Sequence, residues 1–208
     1  MRCTAPLLLA IVRRPSAVRN RLVPLPPSQT SPHTRHRVQW VPHWREVPCM
    51  AVERSLAEQL IERVEAQVDE LIRLLASMPE DRWTRKPAPD EWSAAEICGH
   101  VIEMMPFWAG QAQAVAAQPG LRFGRSEEDE RRIEGIVRGA RLSRHEAVEQ
   151  IRAAAATVAR TIRALPAAAW YVQGFHPTRG PMTVEEILTR LLAEHLESHV
   201  EQVQRSLG

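Results

Sequence analysis

Cysteine is scarce in this chain and lysine is almost missing. The three cysteines, Cys3, Cys49 and Cys98, are odd in number and form no CxxC pair. That argues against a disulfide framework and fits a reducing compartment, so a cytoplasmic setting is expected. Lys86 is the only lysine, and arginine carries the rest of the positive charge. No apolar run approaches the roughly 18–20 residues that a membrane span requires. There is no alternating apolar–polar stretch of strand length and no repeat of solenoid period. Neither a glycine-rich phosphate cradle nor a Ser-His-Asp ordering stands out.

The charge that is present is unevenly placed. The chain has a net charge of +2, but residues 1–49 hold eight arginines and a single acid, Glu46, which makes +7. Residues 50–208 therefore carry −5. Half of the sixteen prolines also fall before residue 50. The chain thus divides into a basic leader, 1–49, and a mildly acidic domain, 50–208, long enough for one full-sized core. Leu7–Val12 is too short for a signal-peptide core. The arginine-rich, acid-poor leader has the character of an organellar transit peptide, but its prolines oppose an amphipathic helix. It reads foremost as translation begun upstream of a true start at Met50, ahead of a natural extension or a targeting segment. Disorder is expected there on any of these readings. The leader's histidines, His33, His36 and His43, lack ligand spacing. Beyond the leader no basic stripe interleaves with aromatics, so no nucleic-acid partner is expected.

From Ala51 onward the pattern is helical. Leu56, Leu60, Val64, Val68, Leu71 and Leu75 recur at steps of three and four, which predicts an amphipathic helix of about 25 residues stopped by Pro79. Ser93 with Glu96 makes a capping box that opens a second helix, with Trp92 placed to staple its start. Ile97, Val101, Met104 and Trp108 mark its buried stripe, His100 lies on the flank of that stripe, and Pro106 predicts a kink. Residues 118–142 form a long connector in which Glu127–Val137 has the makings of a short polar helix. Ser143 with Glu146 caps a third helix carrying Val148, Ile151, Ala155, Val158, Ile162 and Leu165 up to Pro166. A loop with Trp170, Gly174, Pro177, Gly180 and Pro181 leads to Thr183, which with Glu186 caps a fourth helix running to about Arg205. The expected class is all-α, an antiparallel four-helix bundle.

Two histidines single out the last helix. In LLAEHLESHVEQV, His195 and His199 are one turn apart and share a face with Leu188, Leu191, Leu192 and Val203. With His100 on a second core-facing stripe, three imidazoles meet inside one bundle, which is the donor set of a metal site for Zn²⁺, Ni²⁺ or Fe²⁺. The bland alternative is a set of hydrogen-bonded core histidines. The metal reading constrains topology. His100 lies roughly 10 Å along its helix, and His195 and His199 roughly 18–24 Å along theirs. The rings come level only if helices two and four are antiparallel. That requires an up-down-down-up bundle with a crossover about one bundle long between helices two and three, and residues 118–142 are long enough to supply it.

HLESH is not HExxH, because its acid is Glu197, so the general base of a zincin is absent. Glu103, one turn from His100, is either an outer partner for an imidazole or a solvated acid. Cys98 points away from His100 and reads as core packing. His145 reads as exposed, and His176 and Trp170 as loop packing or the rim of a pocket.

Three passages, PAPDEWSAAEICGHVIE, FHPTRGPMTVEEIL and LLAEHLESHVEQV, resemble in order and spacing the DinB-like (YfiT-like) superfamily of metal-binding four-helix bundles. The resemblance spans about residues 52–206. It implies an up-down-down-up bundle with His100, His195 and His199 as ligands. The superfamily includes thiol-dependent transferases and isomerases. The resemblance therefore implies a metal that holds a low-molecular-weight thiol as thiolate for attack on a small electrophilic substrate. The alternative is a non-catalytic metal-binding or sensing bundle, and a homodimer through an exposed helix face is an expected assembly.

Overall fold

Each apolar stripe becomes a helix, and each of the three expected capping boxes forms. The computed structural model describes residues 49–207. The expectations placed on residues 1–48 lie outside the described residues. Helix α1 runs Cys49–Ser77, α2 Ala94–Ala117, α3 Glu130–Gly139 and α4 Arg144–Arg163. The last helix, α5, spans residues 184–205. The capping boxes of α2, α4 and α5 are all formed, with Ser93, Ser143 and Thr183 accepting from the backbone of Glu96, Glu146 and Glu186 and each glutamate returning the bond. Each reciprocal cap satisfies backbone N–H groups that the first helical turn would otherwise leave without partners. Pro106 sits inside α2, and the helix continues through it to Ala117.

Contacts at the helix ends fix the topology. The N–H of Ala95, at the start of α2, donates to the Trp83 carbonyl at 3.0 Å. The Trp83 indole N–H donates to the carbonyl of Leu142, just before α4, at 2.8 Å. Arg82, just after α1, reaches the carbonyl of Ser206 at the end of α5. One end of the bundle therefore gathers the end of α1, the starts of α2 and α4, and the end of α5. At the other end Arg163, closing α4, pairs through two bonds with Glu58 of α1 at 3.1 and 3.0 Å. This is the up-down-down-up bundle, with α2 and α4 parallel. Leu71, Leu75, Ile97, Met104, Ile151, Ile162, Leu188 and Leu192 are almost wholly withdrawn from solvent between the four helices. Each such side chain contributes about 1.5–3 kcal/mol of transfer free energy.

The crossover holds α3 against α2 at backbone contact. A Cβ on Gly99 would lie 2.3 Å from the Gly135 carbonyl oxygen and 2.4 Å from the Gly139 Cα, so only glycine permits this crossing. Gly99 immediately precedes His100.

Two features depart from the sequence reading. The loop before α5 contains an antiparallel hairpin, β1 (Gln173–His176) with β2 (Gly180–Thr183). Its alternation is inverted in hydropathy: Gly174 and His176 point inward while Phe175 is 40% exposed, which hides the strand from any apolar pattern. The connector runs beside β1, with Phe123 N–H donating to Phe175 O and Phe175 N–H to Leu121 O. Helix α5 is also not a uniform α-helix. Val184–Glu186 is α-helical, Ile187–Ala193 is π-helical, and Glu194–Arg205 is α-helical again.

Candidate metal centre

Helix α2 delivers His100, and the second α-helical part of α5 delivers His195 and His199. The wider turn of the π segment ends at Glu194, whose N–H donates to Thr189 five residues back, one residue before His195. Such π segments recur at functional sites, where they re-aim the side chains that follow. The three rings meet: centroids lie 4.9 Å apart for His100 and His199, 5.4 Å for His100 and His195, and 4.7 Å for His195 and His199. One nitrogen from each ring falls within 4.8 Å of the others. Ligands about 2.1 Å from a shared ion sit about 3–4 Å apart, so a small ring rotation closes the set.

The outer hydrogen bonds select the tautomers that a metal needs. Gln202 Oε1 lies 3.1 Å from His199 Nδ1 and can only accept, so that Nδ1 carries the proton. The Leu191 backbone hydrogen-bonds the His195 ring. Its carbonyl likewise can only accept, so the proton sits on the ring nitrogen facing it. Both Nε2 atoms are then left as bare lone pairs, and they face each other at 3.0 Å. His100 Nδ1 is buried without a hydrogen-bond partner. Two opposed lone pairs and an orphaned buried nitrogen are costly in a dry interior. A shared cation removes the repulsion between the two Nε2 atoms, and the donor set of three neutral imidazoles fits a divalent transition metal.

Electrostatics agrees. Burial, then the neighbouring His199 and His195, pushes the pKa of His100 down to about 2. Burial and the nearby His195 take His199 down to about 4. Burial also lowers His195, against the opposing Leu191 hydrogen bond. All three rings are neutral at physiological pH, as ligation requires.

A cavity of about 760 Å³ opens on His100 and His195. Several residues around it were not assigned from sequence. The Trp92 ring, expected to staple the start of α2, stacks on His199 at 6.1 Å and meets His100 edge-on at 5.3 Å. Arg132 of α3 lies 5.3 Å over the outer side of that indole. The only signal for Trp92 was its place one residue before the Ser93 cap. Glu103 neither orients an imidazole nor stands free in solvent. It takes both ends of Arg125 at 2.6 Å, and that guanidinium is packed 4.0 Å over Phe107. Glu197 is likewise engaged away from the centre, by Arg63 of α1 at 2.6 and 2.7 Å. Cys98 is buried in the core, and burial pushes its thiol pKa up to about 12, so it offers no thiolate. His145 is exposed on α4. His176 lines the cavity, whereas Trp170 lies against a separate depression beside α1.

The site can be set beside known proteins. The family model for the DinB superfamily matches residues 61–203, more than half of the chain. YfiT from Bacillus subtilis, described as a probable metal-dependent hydrolase with an unusual four-helix bundle topology, is similar in structure at a TM-score of 0.62 and 12% identity. That match covers 72% of this chain and 85% of YfiT. A mycothiol-dependent maleylpyruvate isomerase is similar at a TM-score of 0.57 and 14% identity, over 73% of this chain and 60% of the isomerase. No curated protein sequence matches the chain. At these identities the structural likeness concerns the fold.

Proposed function

The chain belongs to the DinB superfamily, and we propose that it is a divalent-metal-dependent enzyme that joins a low-molecular-weight thiol to a small electrophile, as an S-transferase or isomerase. One observation carries this reading: the three histidines converge at the wall of a cavity of about 760 Å³, and two of them face into it. A purely structural or sensing site has no need of an open cavity at its ligands. The likeness to a thiol-dependent isomerase supports the thiol half of the reading.

His100, His195 and His199 would hold the ion, with Zn²⁺, Ni²⁺ and Fe²⁺ all compatible with three imidazoles. When bound, it would supply Lewis acidity that keeps a thiol ionised near neutral pH. The chain's own residues do the rest. Gln202 and Leu191 hold the two Nε2 lone pairs toward the centre. Trp92 covers His199 and His100 from the side and sheds water from them. Cys98 is sealed in the core, so the reacting thiol enters from outside. In this reading the partners are small molecules rather than nucleic acid, the compartment is the cytoplasm, and a homodimer is the expected assembly. No helix among the described residues is long and apolar enough to cross a membrane.

The test is elemental analysis of the purified full chain beside His195→Ala, followed by a panel of thiols with a reporter electrophile. The expected result is about one equivalent of transition metal, lost in the variant, and a metal-dependent rate with at least one thiol. A wild type that takes up none of the three metals sinks the reading. A loaded protein inert to every thiol leaves the non-catalytic metal-binding bundle in its place.

A further inference from the structure

Arginines and glutamates share the wall of the cavity, but only arginines bear on the three histidines. Arg132 is the foremost of them. It lines the cavity from the first turn of α3, where the Asp129 carboxylate accepts from its backbone N–H at 3.1 Å. Its Nη1 donates to the Glu127 carbonyl at 2.8 Å, which fastens the side chain to the start of the helix. The guanidinium carbon lies 5.3 Å from the centroid of Trp92, and that indole stacks on His199 and meets His100 edge-on. Helix α3 is held in this place by the backbone contact of Gly135 and Gly139 with Gly99, one residue before His100.

The charges sort by sign. Arg132 opposes a positive charge on His100, on His195 and on His199, whereas Arg125 does so on the first two and Arg179 on His195 alone. Among the described residues no carboxylate counters them at any of the three rings. Of the glutamates on the cavity wall, Glu194 acts on Arg63 of α1. Glu128 bonds Ser126 and interacts with Arg132, but it stands in solvent, where such a pair cancels little. Arg125 is taken at both ends by Glu103, whereas the hydrogen-bond partner of Arg132 is a neutral carbonyl. Arg132 is therefore the cation whose charge reaches all three rings with least compensation. A field of this sign disfavours a bare dication and favours one that carries an anion.

We propose that Arg132 makes the open position of the three-histidine centre selective for anionic over neutral ligands. Its charge acts beside an indole, which holds no countercharge and screens less than water does. Arg132 is thus a specificity-determining residue and not a ligand of the ion. The proposal rests on the enzymatic reading above and deepens it: of the small molecules that reach the ion, those that bind as anions are preferred, a thiolate in that reading.

The experiment uses the full chain loaded with cobalt(II), a divalent ion that imidazoles also bind and that absorbs visible light. Only the absorption that His195→Ala lacks is counted. Cobalt affinity is measured by competition with a chelator. The loaded protein is then titrated with azide, an anion, and with imidazole at about pH 8, where imidazole is neutral. Arg132→Met removes the charge and keeps an unbranched side chain, and Arg132→Lys restores the charge. Arg132→Met is expected to bind cobalt about threefold to tenfold more tightly and azide about threefold to tenfold more weakly, with imidazole within about twofold of wild type. Arg132→Lys is expected to recover most of the azide affinity. Arg190→Met alters another arginine of the cavity wall, one that pairs with Glu186 of its own helix at 3.8 Å, and is expected to leave all three affinities unchanged. Azide and imidazole weakened alike in Arg132→Met would mean that the side chain only props Trp92, and unchanged azide would mean that its charge is screened. Either overturns the selectivity and leaves the metal centre standing. An equal azide loss in Arg190→Met overturns the assignment to Arg132. A wild type that takes up no cobalt overturns the enzymatic reading and the proposal with it, before any ligand is added.

Discussion

His100 and His199 pack into the folded chain as neutral rings, and that choice has a pH cost. Unfolded, each titrates near its usual 6.5. Folded, burial holds them at about 2 and about 4. As pH falls below 6.5 the unfolded chain takes up protons that the folded chain refuses, so stability is lost as pH falls and is fully present above that value. In metal-free protein, urea unfolding at pH 7.5, 6.5 and 5.5 is expected to show a loss of about 1 kcal/mol per buried histidine over the last interval. His199→Leu should flatten the curve by about one histidine's share. The helix-capping carboxylate of Glu146, which its hydrogen bonds with Ser143 hold below its usual 4.5, stabilises the fold throughout this range and loses that contribution only as pH falls below 4.5. A wild type equally stable at 7.5 and 5.5 would show that these rings are protonated, or solvated, in the folded state.

At the scale of elements, the tightest joint is the crossing of α2 and α3. A Cβ on Gly139 would sit 2.4 Å from the Ala95 carbonyl oxygen and 2.6 Å from the Gly99 Cα. These are backbone atoms, so no rotamer change relieves the clash. Gly139→Ala gains about 1 kcal/mol of helix propensity but is expected to lose about 1–3 kcal/mol net, as overpacked sites do. Gly110→Ala is the matched control. Gly110 lies on α2 with nothing within 4 Å of the added carbon, so the same substitution is expected to stabilise by up to about 1 kcal/mol. Equal urea midpoints for the two variants would mean that α3 is not held at backbone contact.

The same scale shows what was legible in advance. The three capping boxes, the stripe from Leu60 to Leu75 and the His195–His199 spacing are local patterns, and all appear in the fold. The helix directions followed from bringing His100 level with them. The hairpin was hidden because glycine and histidine, rather than apolar residues, face inward along β1. The π segment was hidden because Ile187–Ala193 reads as an ordinary helical stripe, and its wider turn is set by packing rather than by propensity. Arg125 with Glu103 is a pairing across 22 positions, and Trp92 over His199 one across more than a hundred. Nothing in local spacing marks either.

For the whole molecule, the three histidines proposed as ligands join α2 to α5, neighbours that run in opposite directions and are separated in sequence by α3, α4 and the hairpin. An ion shared by them closes a loop from His100 to His199, well over half of the described residues, so its binding free energy becomes folding free energy. At a free zinc concentration about 100 times its dissociation constant the gain is about 2.7 kcal/mol, which is about 5–10 °C in melting temperature for a domain of this size. The full-length wild type is expected to show that rise on zinc addition, and His195→Ala is expected to show none. The location of the effect is as informative as its size. Hydrogen exchange should slow on zinc addition in α2 around His100 and in residues 194–203 of α5, while α4, which supplies no ligand, changes only through global unfolding. A rise in melting temperature that persists in His195→Ala would place the zinc elsewhere on the chain, where His145, His176 and the leader's His33, His36 and His43 are the other imidazoles.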